Sequence, residues 1–145
     1  MSYRFRKAKS PTGPKATAGK WFSKFIRIRD ALKTTGTRTH ARCITCGKVH
    51  HVSAMHAGHA IPGRTAGILF DEQLVYAQCP RCNCGGDGEK QAFKRVLVEK
   101  YGIEWWEMKE QQKRKAVILT DFDYRELSRV YRNKLKELGG WYEKD

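Results

Sequence analysis

No stretch of this chain is apolar over the roughly 20 residues that a membrane-spanning helix needs, and its first residues lack the apolar core of a secretory signal. Both absences set the expectation of a cytoplasmic protein with no membrane partner. Acid is scarce: 15 Asp and Glu stand against 29 Lys and Arg, leaving a net charge of +14. The shortage is uneven, because residues 1–50 hold 13 basic residues and a single acid, Asp30. Solubility does not require such lopsidedness, so a polyanion is expected as partner, nucleic acid before membrane. Cysteines number five. An odd count with four members in Cys-x-x-Cys pairs argues against a disulfide framework and for metal in a reducing compartment.

What is present centres on residues 43–84. The stretch opens with Cys43-Ile44-Thr45-Cys46-Gly47 and closes with Cys79-Pro80-Arg81-Cys82-Asn83-Cys84. Two such pairs supply four thiolates, the donor set of a closed tetrahedral zinc site, so Cys43, Cys46, Cys79 and Cys82 are read as ligands of a structural Zn²⁺. Cys84 is a surplus thiol. The interval between the pairs is long enough for a β-hairpin, and it contains His56-Ala57-Gly58-His59. The reading is a zinc-stapled hairpin that presents His59, while His40, His50 and His51 read as ordinary satisfied polar residues.

Outside that centre the patterning changes. Residues 1–20 carry six basic residues, no acid and no hydrophobic period, which predicts a flexible basic arm. Residues 21–36 predict a helix whose stripe is Phe22, Phe25, Ile26, Arg29 and Leu32, stopped at Gly36. Residues 37–102 form the expected zinc-bound core: strand, loop, strand, knuckle, then a helix from about Glu89 to Tyr101. Residues 103–145 predict a C-terminal helical segment. It begins with a short helix containing Trp105 and Trp106, read as core filler. A last helix follows, capped at Thr120 or Asp121 and carrying Tyr124, Leu127, Tyr131, Leu135 and Leu138 on one face. The fold class is thus α+β. Arg4, Arg6, Lys7, Lys9, Lys24, Arg27, Arg64 and Arg81 are the candidate phosphate contacts, on charge and position.

A phosphodiester hydrolase of the ββα-metal type needs a general base, a divalent cation and a rigid frame. At the residues that can supply these, the sequence resembles a known family. Cys43-x-x-Cys46-Gly47, His56-Ala57-Gly58-His59, Phe70-Asp71-Glu72 and Gln78-Cys79-x-x-Cys82-Asn83 look like the NinG (Rap) phage recombination proteins. Phe25-Ile26-Arg27-x-Arg29-Asp30 and the stretch from Leu119-Thr120 to Leu138 extend the likeness. The four-Cys-then-Asn arrangement is also similar to phage endonuclease VII, a dimeric junction resolvase with a zinc-held core.

The resemblance implies an HNH (His-Me finger) endonuclease acting on branched recombination DNA such as Holliday junctions and D-loops, in the host cytoplasm, with a homodimer as a candidate assembly. By it, His59 matches the general base and Asn83 a ligand of a catalytic Mg²⁺ or Mn²⁺. His56 stands where the family pattern has Asp; as a second ligand it would shift preference toward softer cations, Ni²⁺ among them. Leu74 aligns with the middle Asn of HNH, which braces the loop between the strands, and Gln73 or Asp71 is the candidate substitute. The alternative is a zinc-stabilised DNA-binding protein or adaptor of the recombination or replication machinery in which cleavage is weak or lost.

Overall fold

The computed structural model describes residues 11–63, 65–85 and 87–142. Among them, five α-helices surround two small antiparallel sheets, a mixed α+β architecture. Helix α1 spans Pro14–Thr35. The first sheet pairs β1 (His40–Arg42) with β2 (Val49–His51), and a single 3₁₀ turn, Val52–Ala54, follows. The second sheet pairs β3 (His56–His59) with β4 (Val75–Gln78) in the register His56 to Gln78 and His59 to Val75. Four helices complete the described chain: α2 (Pro80–Cys84), α3 (Asp87–Tyr101), α4 (Ile103–Arg114) and α5 (Asp121–Glu137). No helix among the described residues is long and apolar enough to cross a membrane.

Two boundaries differ from the sequence reading. The basic arm was expected to run to residue 20, with a helix over residues 21–36, but α1 already begins at Pro14. Proline is at home in the first turn of a helix, where its missing N–H has no partner to lose. Ala18 is fully buried, so packing extends the helix through a stretch that lacks apolar periodicity. Its end was legible, since Gly36 adopts φ 73° and donates its N–H to the Leu32 carbonyl. The second difference lies in the centre. The first expected strand is interrupted: β2 ends at His51, whose Nδ1 accepts the Ser53 N–H to turn the chain before β3 begins. The expected single hairpin is therefore two two-stranded sheets, the first with a knuckle as its turn. At the C-terminal end the Thr120–Asp123 capping box forms as read.

Strand β4 lies between two apolar clusters. Its Val75 and Ala77 join Phe22, Phe25 and Ile26 of α1 and Tyr131 and Leu135 of α5. Tyr76, on the alternate face, packs with Phe93 and Leu97 of α3 and Trp106 of α4. Phe22 meets Tyr131 edge to face at 4.8 Å, closing the α1–α5 contact. Trp105 and Trp106 are filler as read: Trp106 is buried and Trp105 stacks on Tyr101 at 4.4 Å.

A two-stranded sheet leaves unpaired backbone groups along its free edge. Here α1 pairs them. Asp30 Oδ2 accepts the Ala77 N–H at 2.7 Å, while Arg29 donates to the Glu72 and Val75 carbonyls, each at 2.8 Å. Arg29 and Asp30 also pair with one another at 2.8 Å, with side chains 11% and 8% exposed. Both residues serve as side-chain substitutes for a third strand. Asp30→Ala should remove a buried partner from both the guanidinium and the Ala77 amide. Stability should fall by about 3–5 kcal/mol, and urea unfolding measures it; a midpoint equal to wild type would remove Asp30 from this role.

Candidate functional site

The four cysteines converge from two short segments. Cys43 ends β1, and the turn to Cys46 is closed by the Gly47 N–H on the Cys43 carbonyl at 2.9 Å. Cys79 ends β4, Pro80 starts α2, and Cys82 falls one turn later, with the Asn83 N–H on the Cys79 carbonyl at 2.9 Å. The knuckles are stitched together by the Ile44 N–H on the Ala77 carbonyl and the Cys79 N–H on Cys43 Sγ, at 3.1 and 3.3 Å. Gln78 reaches across the strand to donate to Thr45 Oγ1 at 2.8 Å. That crossing requires a glycine at the diagonal position of β3, because a Cβ on Gly58 would collide with the Gln78 side chain.

All four Sγ atoms lie within 4.8 Å of one another, and Cys46 and Cys79 are 3.9 Å apart. A tetrahedral zinc with Zn–S bonds of about 2.3 Å puts its sulfurs about 3.8 Å apart, so the cluster can hold zinc. Burial works against ionising Cys43, yet N–H groups at Cys46, Cys79 and Thr45 outweigh it and bring the thiol down to about 7. Cys82 is pushed upward by burial and then by the neighbouring cysteines. Thiols this crowded cannot all shed protons unless a cation enters, which is the electrostatic condition zinc satisfies. Cys84 is exposed and lies outside the group. His50, read as satisfied, has its Nε2 buried without a hydrogen-bond partner among the described residues, in the wall of a cleft of about 410 Å³ shared with Cys46, Cys79 and Cys82.

Next to this frame, β3 and α2 bring two candidate ligands together. Asn83 Nδ2 lies 2.8 Å from His56 Nδ1, and both residues are exposed. They would be the holders of a catalytic cation. As two neutral donors they fit one only with water or phosphate oxygens completing the shell. Among the described residues the cysteine cluster is the one group of three or more His, Cys, Asp or Glu with converging ligand atoms.

His59 sits at the other end of β3, three residues on, about 10 Å along the strand and on the alternate face of the pleat. Its Nε2 is 3.0 Å from the Leu69 carbonyl. A carbonyl only accepts, so Nε2 carries the proton and the lone pair of the neutral ring is on Nδ1.

Leu74 is no brace but a buried plug in the second cluster. Of the two candidate substitutes, Asp71 does the bracing: Oδ1 accepts the Gln73 N–H at 3.0 Å, and Oδ2 accepts Lys109 at 2.7 Å and Gln112 at 3.0 Å. The sequence held Asp71 in a motif, but nothing local announced partners on α4.

The candidate phosphate contacts divide. Arg4, Arg6, Lys7, Lys9 and Arg64 lie outside the described residues. Arg27 is half-buried and donates to the Val52 carbonyl at 3.0 Å, and burial lowers its pKa, so it works as a strut. Lys24 lies over the rings of Trp21 and Trp141, 5.3 Å from each. Arg81 is exposed beside the cysteine cluster.

A family comparison matches residues 2–140 to the model described as Bacteriophage Lambda NinG protein. No curated protein and no solved structure matches the chain.

Zinc held this way is part of the fold, worth on the order of 10 kcal/mol to structural sites. Cys43→Ser should therefore lose both metal and the cooperative thermal transition, while Cys84→Ser keeps one zinc per chain and the wild-type melt. Metal analysis alongside calorimetry reads both, and stoichiometric zinc with an unchanged melt in Cys43→Ser would overturn the ligand set.

Proposed function

The chain belongs to the NinG family of bacteriophage proteins, and from that premise we propose that it is a metal-dependent DNA endonuclease of the HNH type acting on branched recombination intermediates. The family supports a phage recombination-related role. The observation that carries the catalytic reading is the hydrogen bond from His59 Nε2 to the Leu69 carbonyl. It fixes the tautomer in which Nδ1 is basic, the state a general base needs before it can take a proton.

The chemistry follows from that placement. His59 Nδ1 takes a proton from water as the water oxygen bonds to phosphorus, and the bond from phosphorus to the 3′ oxygen breaks, the leaving oxygen being reprotonated from solvent. His56 and Asn83 would hold the divalent cation, which supplies charge stabilisation on the phosphate oxygens. Arg81, exposed one residue before Cys82, is placed to hold a flanking phosphate. The positioning of Asn83 comes from the knuckle itself, since its backbone N–H closes the Cys79 turn.

One observation favours the second reading, a DNA-binding protein without cleavage. His56 and Asn83 stand toward one end of β3 and His59 at the other, so base and cation holders share no face. Cleavage of a four-way junction beside a matched linear duplex, with Mg²⁺, Mn²⁺ or Ni²⁺, separates the two. Under the nuclease reading His59→Ala loses cleavage by roughly 10²-fold or more, with zinc content and DNA affinity unchanged. Asn83→Ala should be partly rescued by extra cation, and His56→Asp should favour Mg²⁺ over the softer ions. Wild type that cuts no substrate with any metal, yet binds junctions, gives the answer to the binder; His59→Ala cutting as fast as wild type removes this mechanism.

A further inference from the structure

Helices α1 and α5 form an open cleft of about 800 Å³. Trp21 and Lys24 contribute from α1, Arg125, Arg129, Arg132 and Lys136 from α5, and Trp141 closes one end. Among the described residues no Asp or Glu lines it, and none of those that do belongs to β3, β4 or α2. Arg125, Arg129, Arg132 and Lys136 are all exposed, so burial of apolar surface does not explain them. Holding five cations together costs self-repulsion, and the ion pair of Arg129 with Glu126 at 3.0 Å is exposed and weak.

The tryptophans hold cations in place. Trp21 has Lys24 and Arg132 over its ring at 5.3 and 5.1 Å, and Trp141 has Lys24 and Arg27 at 5.3 and 4.5 Å. Rings covered in this way are posts for charge rather than platforms for stacked bases. The four α5 cations recur at i, i+4, i+7 and i+11, one face of the helix over about 16 Å. One DNA strand presents a phosphate about every 3.4 Å of axis, so the row faces about five phosphates. We infer that the α1–α5 cleft is a second nucleic-acid surface, which grips the phosphate backbone without reading bases and lies apart from the β3–α2 site. The inference takes DNA as the polyanion from the proposed function but does not rest on cleavage. A flat anionic membrane does not enter a concave cleft, and an acidic peptide offers no regular charge repeat to match the row.

The test uses the full chain and a short linear duplex with no added divalent cation, so no strand is cut. The triple variant Arg125→Ala, Arg129→Ala, Lys136→Ala should bind roughly tenfold more weakly, with a log–log salt slope shallower by about 2 to 3. A control with the same charge loss on exposed sites outside the cleft, Lys33→Ala, Lys90→Ala, Arg95→Ala, should keep most of the affinity and slope. Equal losses in the two triples would overturn the inference, because binding would then follow net charge alone. So would cleft-dependent binding of polyglutamate or of phosphatidylserine vesicles that is tighter than binding of DNA. His59→Ala should retain the cleft-dependent affinity in full. A failed cleavage test and a failed cleft test are thereby distinguishable.

Discussion

Four sulfurs drawn to one point are the constraint on which the centre of this fold depends. Strands of three and four residues are too short to hold as isolated pairs in water. Each sheet here ends at a knuckle: β1 runs into Cys43 and β4 into Cys79. Bringing those ends together aligns Ile44 with Ala77, seats Gln78 against Thr45, and fixes where α2 starts. The cysteine cluster, which can hold zinc, and the backbone ladder are thus one unit, and the position of Asn83 is a consequence of it.

The second support is electrostatic and buried. Arg29 and Asp30 complete the free edge of β4, and Asp71, gripped by Lys109 and Gln112, anchors the loop that supplies the Leu69 carbonyl to His59. Glu72, which is partly exposed, takes Lys134 of α5 at 2.8 Å. Residues 71–75 are therefore tied to α1, α4 and α5 at once. Rigidity there bears directly on His59, since its ring is oriented by that loop. The brace is a carboxylate whose partners stand on another helix, so the stiffness of the loop is set by α4 and not by its own residues.

Positive charge in this chain serves two purposes that composition alone cannot separate. Arg27, Arg29 and Lys109 are spent on carbonyls and a carboxylate inside the fold, and Lys134 on the partly exposed Glu72. Arg125, Arg132 and Lys136 stay exposed along one cleft, with indole rings holding neighbouring cations in register. The net charge of +14 does not say which cations are free to meet a polyanion; that depends on the partners that folding has already assigned.

The sequence by itself determined whatever depends on neighbours along the chain. The two Cys-x-x-Cys pairs, the stop at Gly36, the Thr120–Asp123 cap and the apolar stripes of α1 and α5 are each set by residues within a turn or two, where spacing alone decides which side chains meet. Tertiary structure decided what depends on residues dozens of positions apart. It started α1 at Pro14 by burying Ala18, cut one expected hairpin into two sheets, turned Leu74 into a plug and Asp71 into the brace, and withdrew Arg27 from the surface. It also set His56 against Asn83 and His59 against Leu69. A polar side chain has no preferred partner until the chain closes on it; its role is fixed by whichever unpaired carbonyl, amide or charge folding brings within about 3 Å.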